Sequence, residues 1–151
     1  MKLGIISDTH ISTIGEVPAA IMKALADVDI IIHAGDFTQK AVLDGLRAIG
    51  EVKAVRGNMD SIEIKGNLPE REEFEAGGKK IGLIHGSGAP WGIAERVKNQ
   101  FSGVDIIIFG HSHKPCNRYV QGVLVVNPGQ AKKSFGILTI DDGIKVEILR
   151  V

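Results

Sequence analysis

The sequence predicts an α/β protein with mixed sheets and an antiparallel C-terminal part, and three observations carry that prediction. Short isoleucine- and valine-rich runs recur along the first two-thirds of the chain, and segments with helical spacing lie between them. In the last third, strands are separated only by short turns. Alternating β and α segments are the pattern of a sheet covered by helices, whereas strands joined by tight turns pair antiparallel. With 151 residues, 44% of them hydrophobic, the chain is long enough for one well-buried core and too short for two. A single domain spanning residues 1–151 is expected.

The elements follow in order. Leu3 to Ile6 is a buried strand, apolar throughout rather than alternating. Pro18 to Val28 places Ile21, Leu25 and Val28 on one helical stripe, with Pro18 opening the helix. Ile30 to Ile32 is the second strand. Thr38 to Ile49 carries Val42, Leu46 and Ile49 on one face, with Thr38 as cap and Gly50 as stop. Val52 to Val55 is the third strand, and Gly77-Gly78, between Phe74 and Ile81, marks a tight hairpin. Ile81 to Ile84 and Ile106 to Phe109 are further buried strands around a helix from Trp91 to Phe101, where Ile93, Val97 and Phe101 align. Asn117 to Val120, Val123 to Val126, Phe135 to Ile140 and Ile144 to Val151 close the chain, with Gln121-Gly122 and Asp142-Gly143 as hairpin signals.

Charge and cysteine content limit the partners. Lysine plus arginine (18) balances aspartate plus glutamate (18), so no overall field draws the protein to a membrane or to nucleic acid. There is also no basic, aromatic-interleaved stripe of the kind that tracks a nucleic-acid strand. Any substrate charge must be handled locally. The lone Cys116 excludes an internal disulfide framework and fits a reducing compartment. Ser7 and Asp8 interrupt the first apolar run well short of a signal-peptide or membrane span. A cytoplasmic location is expected, and a homo-oligomer is compatible with the composition.

The polar residues after each apolar run carry the chemistry. Leu3 to Ile6 leads into Ser7-Asp8-Thr9-His10, Ile30 to Ile32 into His33-Ala34-Gly35-Asp36, and Val52 to Val55 into Arg56-Gly57-Asn58. Ile81 to Ile84 leads into His85-Gly86, and Ile106 to Phe109 into Gly110-His111-Ser112-His113. Singly, Asp8 or Asp36 reads as a helix cap and each histidine as a polar edge residue. The chain has only five histidines, however, and independent caps and turns would not concentrate them at strand ends. In an open sheet with helical crossovers, ligands bind beyond the carboxyl ends of the strands, so the five endings can meet in one crevice. Two carboxylates, an asparagine carbonyl and neutral imidazoles suit manganese, iron, zinc or nickel. That many ligands exceeds the needs of one ion and is enough for two sharing a carboxylate.

In this order, Asp8-x-His10, Gly35-Asp36, Gly57-Asn58, His85 and Gly110-His111-x-His113 resemble the calcineurin-like metallophosphoesterases. The small size, the His33-Ala34-Gly35-Asp36 stretch and Asn127-Pro128-Gly129 look most like the compact prokaryotic phosphodiesterase branch. The resemblance implies a four-layer α-β-β-α sandwich with the site at one end. It implies two divalent ions, manganese first, with iron, nickel or zinc as alternatives. Asp8, His10, Asp36 and His113 would hold one ion. Asp36, Asn58, His85 and His111 would hold the other, with Asp36 bridging. His33 has no ligand role in the pattern and is expected behind the ligands, hydrogen-bonded near Asp36.

The expected reaction is hydrolysis of a small phosphoester, preferentially a diester, by in-line attack of a metal-bridging hydroxide, with Asn58 and His111 at the reacting group. Many family members carry a histidine immediately after the asparagine, where it can protonate the departing oxygen. Here that position is Met59, and a thioether has no proton to give. Asp60 either orients His111 or accepts hydrogen bonds within its own turn. Trp91, Arg56, Lys114, Arg118 and Lys132-Lys133 are candidate substrate contacts, and each is equally an ordinary surface or core residue. The competing reading is a non-catalytic metal-binding scaffold of the same fold that mediates protein–protein interaction. The filled ligand positions favour catalysis.

Overall fold

The computed structural model describes residues 1–151. In chain order the strands are β1 (Lys2–Ile6), β2 (Ile30–His33), β3 (Val52–Ala54), β4 (Arg71–Ala76), β5 (Lys79–Ile84), β6 (Ile106–Ile108), β7 (Cys116–Val120), β8 (Val123–Asn127), β9 (Ser134–Ile140) and β10 (Ile144–Arg150). The helices are α1 (Ala19–Leu25), α2 (Lys40–Ile49), α3 (Ile62–Asn67) and α4 (Ile93–Lys98). Two five-stranded sheets result, ordered β10-β9-β1-β2-β3 and β4-β5-β6-β8-β7. Strands β1, β2 and β3 run parallel, as do β5, β6 and β8, while hairpin strands close the edges antiparallel.

The period-2 alternation of a strand sorts these apolar runs into layers. Leu3, Ile5, Ile30 and Ile32 of the first sheet meet Ile81, Leu83, Ile106, Ile108, Leu124 and Val126 of the second, forming the central core. On the outer face of the first sheet, Ile6 and Ile31 pack with Ile21 and Leu25 of α1 and with Val42, Leu43 and Leu46 of α2. On the outer face of the second, Ile107 and Val125 pack with Ile93, Ala94 and Val97 of α4. Strands buried on both faces cannot alternate apolar with polar residues, which explains their unbroken isoleucine and valine runs. The result is the helix–sheet–sheet–helix sandwich that the resemblance implied.

Several expectations change. The helices are shorter than their apolar stripes, with α1 ending at Leu25 and α4 at Lys98. Thr38 does not cap α2: it lies at φ 75°, Gln39 holds the cap position, and no side chain closes the first turn. The C-terminal strands do pair antiparallel in two hairpins, but the hairpins join different sheets, and β8 lies parallel to β6. A short helix, α3, occupies a stretch with no predicted element. Register aligns Ile6, His33 and Ala54 across three parallel strands and Leu83 with Ile108 in the other sheet, so the ligand-bearing segments leave their sheets level with one another.

Candidate metal centre

The loops beyond the parallel strands are held together by their own backbone. Asp8 N donates to Gly35 O at 3.0 Å, His10 N to Asp36 O at 3.2 Å, and Gly110 N to His85 O at 3.0 Å. Five non-glycine residues here lie in the left-handed region: Asp8 (φ 53°), His10 (48°), Asp36 (62°), His111 (67°) and His113 (61°). That conformation is uncommon for residues with a Cβ and persists only where the surroundings over-determine it, which is typical of functional sites.

Six of the seven predicted ligands converge, and the seventh, His111, packs its ring against one of them. The buried Asp8 Oδ1 lies 3.3 Å from His113 Nε2 and 3.8 Å from both His10 Nε2 and His85 Nε2. Asp36 Oδ2 lies 3.2 Å from His85 Nε2 and 3.7 Å from His10 Nε2, so this oxygen faces both sides of the cluster. Asn58 Oδ1 stands 3.1 Å from His85 Nε2. Asp8 with His10 and His113, and Asp8 with Asp36 and His85, form two groups whose ligand atoms lie within 4.8 Å of one another. His111 is outside both groups, with its ring against His85 at a centroid distance of 5.3 Å.

The hydrogen bonds around the cluster leave ligand atoms without partners. Asp8 Oδ1 and His10 Nε2 are buried and bond to nothing, a rare state for native polar atoms. His85 Nδ1 lies 2.6 Å from Ala34 O, and a carbonyl can only accept, so that nitrogen carries the proton. Nε2 is then the ring atom facing the carboxylates, and once deprotonated it offers the lone pair a cation would take. His111 Nε2 likewise donates to Gly88 O at 3.0 Å, leaving its Nδ1 lone pair free. Two ligands about 2.1 Å from one ion stand about 3.0 to 3.5 Å apart, close to the separations between these atoms. The donor set therefore fits divalent cations.

The carboxylates and imidazoles of the cluster also pair with one another. Burial alone would raise the Asp36 carboxyl, but the hydrogen bond and charge of His85, the Met59 N–H and the charge of His10 hold it below the usual carboxylate range. Burial pulls His85 down, yet bonding to Asp36 and the charges of Asp8 and Asp36 leave it raised. His33 is pushed well below the ordinary histidine value, first by burial and then by the nearby His85 and His10, against the pull of Asp36.

Residues around the ligands set their positions. His33 Nδ1 accepts from Gly35 N at 3.1 Å, and its Nε2 meets Thr9 Oγ1 at 3.1 Å. His33 thus lies behind Asp36, as expected. Asp60 makes no hydrogen bond to His111: its carboxylate accepts from Gly57 N (2.7 Å), Thr38 N (2.8 Å) and Asp36 N (3.0 Å), tying the loops after β2 and β3 together. The turn-acceptor alternative is thus the one realised, extended to a neighbouring loop. A Cβ on Gly57 would stand 2.1 Å from Asp36 Oδ1, so this glycine is required by close approach rather than by positive φ.

No sequence pattern marks Ser7, whose hydroxyl donates to Asp8 Oδ2 at 2.7 Å. Buried Asn127 donates to Gly110 O at 2.9 Å and to Ser112 Oγ at 3.1 Å, fixing the His111–His113 loop. Among the candidate substrate contacts, Arg56 lines the cavity beside Asn58 and His85. Arg118 instead pairs with Glu95 at 2.6 Å, Lys132 lines a separate small pocket, and Trp91 is exposed. Lys114 and Lys133 do not line the Asn58 cavity. No helix is long and apolar enough to cross a membrane.

Comparison with known proteins agrees with this geometry. Residues 1–143 match the calcineurin-like phosphoesterase superfamily domain. A probable metallophosphoesterase of Methanocaldococcus jannaschii is 37% identical, the alignment covering 100% of this chain and 82% of that protein. The crystal structure of wild-type Vps29 from Entamoeba histolytica, complexed with zinc, is 28% identical, with a TM-score of 0.78 and 99% of each chain covered. An archaeal phosphodiesterase superimposes with a TM-score of 0.82 over the whole of both chains at 23% identity, a likeness of fold. From the motifs, the sandwich and the match over most of its length, the chain belongs to the calcineurin-like phosphoesterase superfamily.

Proposed function

We propose that the protein is a phosphodiesterase dependent on two divalent ions. One observation carries the reading: the buried, unbonded Asp8 Oδ1 is ringed by the Nε2 atoms of His10, His85 and His113. Asp8, His10, Asp36 and His113 would hold one ion, and Asp36, Asn58, His85 and His111 the other, with Asp36 common to both. When bound, such ions supply Lewis-acid polarisation of phosphoryl oxygens and make water more acidic, and the mixed carboxylate, amide and imidazole donors suit manganese, iron, zinc or nickel. The chain's own residues do the rest. Ala34 and Gly88 carbonyls fix the tautomers of His85 and His111, and Asp60 fixes the backbone on which Asp36 and Asn58 stand. The Asn58 amide, facing His85, would help orient the phosphoryl group.

Met59 supplies no proton to a departing oxygen, which favours esters whose leaving groups depart unprotonated. The whole-chain likeness to Vps29 supports a second reading, a metal-binding scaffold for protein–protein contacts. Stripping the protein with chelator, adding manganese back and following bis(4-nitrophenyl) phosphate separates the two. Hydrolysis restored by metal is expected. Stoichiometric metal binding without hydrolysis would overturn the enzyme reading in favour of the scaffold. Asp36→Asn tests the assignment, because unchanged metal content would refute the shared carboxylate.

A further inference from the structure

A cavity of about 720 Å³ opens beside the centre, lined by Asn58 and His85 together with Arg56, Lys65, Arg96 and Gln100. That is much more room than one phosphoryl group fills, and it lies within the range of small-molecule pockets. Its lining includes only two apolar side chains, Ile84 and Val97, and one carboxylate, Glu70. None of Arg56, Lys65 and Arg96 forms an ion pair. A chain with zero formal net charge thus places three cations against one carboxylate in the lining next to its candidate centre, and a charged cleft of this kind focuses field and gathers counter-ions.

The three cations do different work. Arg96 spends its guanidinium on the carbonyls of Ser87, Ala89 and Trp91, bracing the loop before α4. Arg56 makes a single bond, to Lys65 O at 3.3 Å, and Lys65 Nζ reaches only Asn58 O at 3.3 Å. Both therefore keep donors for a ligand. Lys65 attaches to the Asn58 carbonyl and Arg56 to the Lys65 carbonyl, whereas the Asn58 amide faces His85, so the two cations flank the reacting position rather than occupy it.

We infer that Arg56 and Lys65 form a second-anion subsite, selecting phosphodiesters that carry a further phosphate on one of their alcohol arms. This rests on the phosphodiesterase reading for its catalytic consequence, though not for binding. Guanidinium groups suit phosphate through paired donors, and a lysine adds a mobile point charge. The probes are the dinucleotides TpT and pTpT, which differ by one terminal phosphate.

Binding to the full chain is measured in chelator, so that neither ester is consumed. The chain is expected to bind pTpT at least tenfold tighter than TpT. In an Arg56→Gln, Lys65→Gln double variant that ratio should fall to within about twofold. A Lys23→Gln, Lys80→Gln control of equal charge change should keep it. Equal binding of the two esters by the parent, survival of the preference in the double variant, or its loss in the control would each overturn the subsite. With manganese, the same ratio is read as kcat/KM, which cancels any effect of the substitutions common to both esters. If bis(4-nitrophenyl) phosphate is not hydrolysed, the phosphodiesterase reading fails while the binding ratio still decides the subsite.

Discussion

Gly57 and Met59 flank Asn58 and constrain the centre in different ways. A Cβ at position 57 would also meet Asp36 N at 2.5 Å, so the loop after β2 must retreat to admit one. Gly57→Ala is expected to cost about 1 to 3 kcal/mol and to weaken metal binding at least tenfold, as read by denaturant midpoint and metal titration. Met59 is 58% exposed, and its N–H holds Asp36 Oδ1 at 2.8 Å, so its side chain can change while its backbone keeps that bond. General acid catalysis is typically worth about 10² to 10⁴-fold. Met59→His should therefore raise turnover of alkyl esters roughly tenfold or more relative to nitrophenyl esters, and an unchanged ratio would show that no donor is needed there.

Among the elements, α3 joins local sequence to the site. Ser61 Oγ accepts from Ile64 N at 3.3 Å, and the helix carries Lys65 to the Asn58 carbonyl. Ser61→Ala should cost about 0.5 to 2 kcal/mol in a denaturation experiment. The same helix shows where the sequence was hard to read: only Ile64 of its six residues is buried, while Ile62 is 91% exposed, so it offers no apolar stripe. Strand β4 was legible only through its Gly77-Gly78 turn, because Arg71, Glu72, Glu73 and Glu75 suit an exposed edge strand better than a core run. The buried strands and the polar residues after them were legible because a strand covered on both faces must be apolar and its chemistry can begin only where it ends. The roles of Asp60, Ser7 and Asn127 were not, since each depends on a backbone group brought near by tertiary folding.

At the scale of the molecule, stability should respond to both metal and pH. A ligand at a hundred times its Kd stabilises the folded state by about 2.7 kcal/mol per site, so manganese should raise the unfolding temperature of the parent and raise that of Asp36→Asn much less. His33 sets a pH window in the metal-free protein. Its folded pKa lies well below the ordinary value, which is about 6.5 for the unfolded chain. Above that pH both states are neutral and the full stability is present. Below it the unfolded chain takes up a proton that the folded state refuses, so this group makes stability fall as pH drops, by up to about 1.4 kcal/mol per unit. His85, raised in the fold, acts with the opposite sign: its contribution is present below its unfolded value and is lost as pH rises through its folded one. His85 is retained in His33→Gln, so the difference between parent and variant slopes from pH 8 to 5 isolates His33. Equal slopes would contradict its buried neutral state.

Asp8, His10 and Asp36 come from the first sheet, and His85, His111 and His113 from the second, so the centre works as a clasp across one mouth of the sandwich. His85 to Ala34 and His111 N to Asp8 Oδ2, at 3.2 Å, already bridge that mouth without an ion. Native-state hydrogen exchange should then be asymmetric along the strands: amides near Ile6 and Ile84 should open more slowly than those near Lys2 and Lys79, and cation loading should widen the gap. The two sheets would part like a book held shut at one corner, with the free edges breathing first.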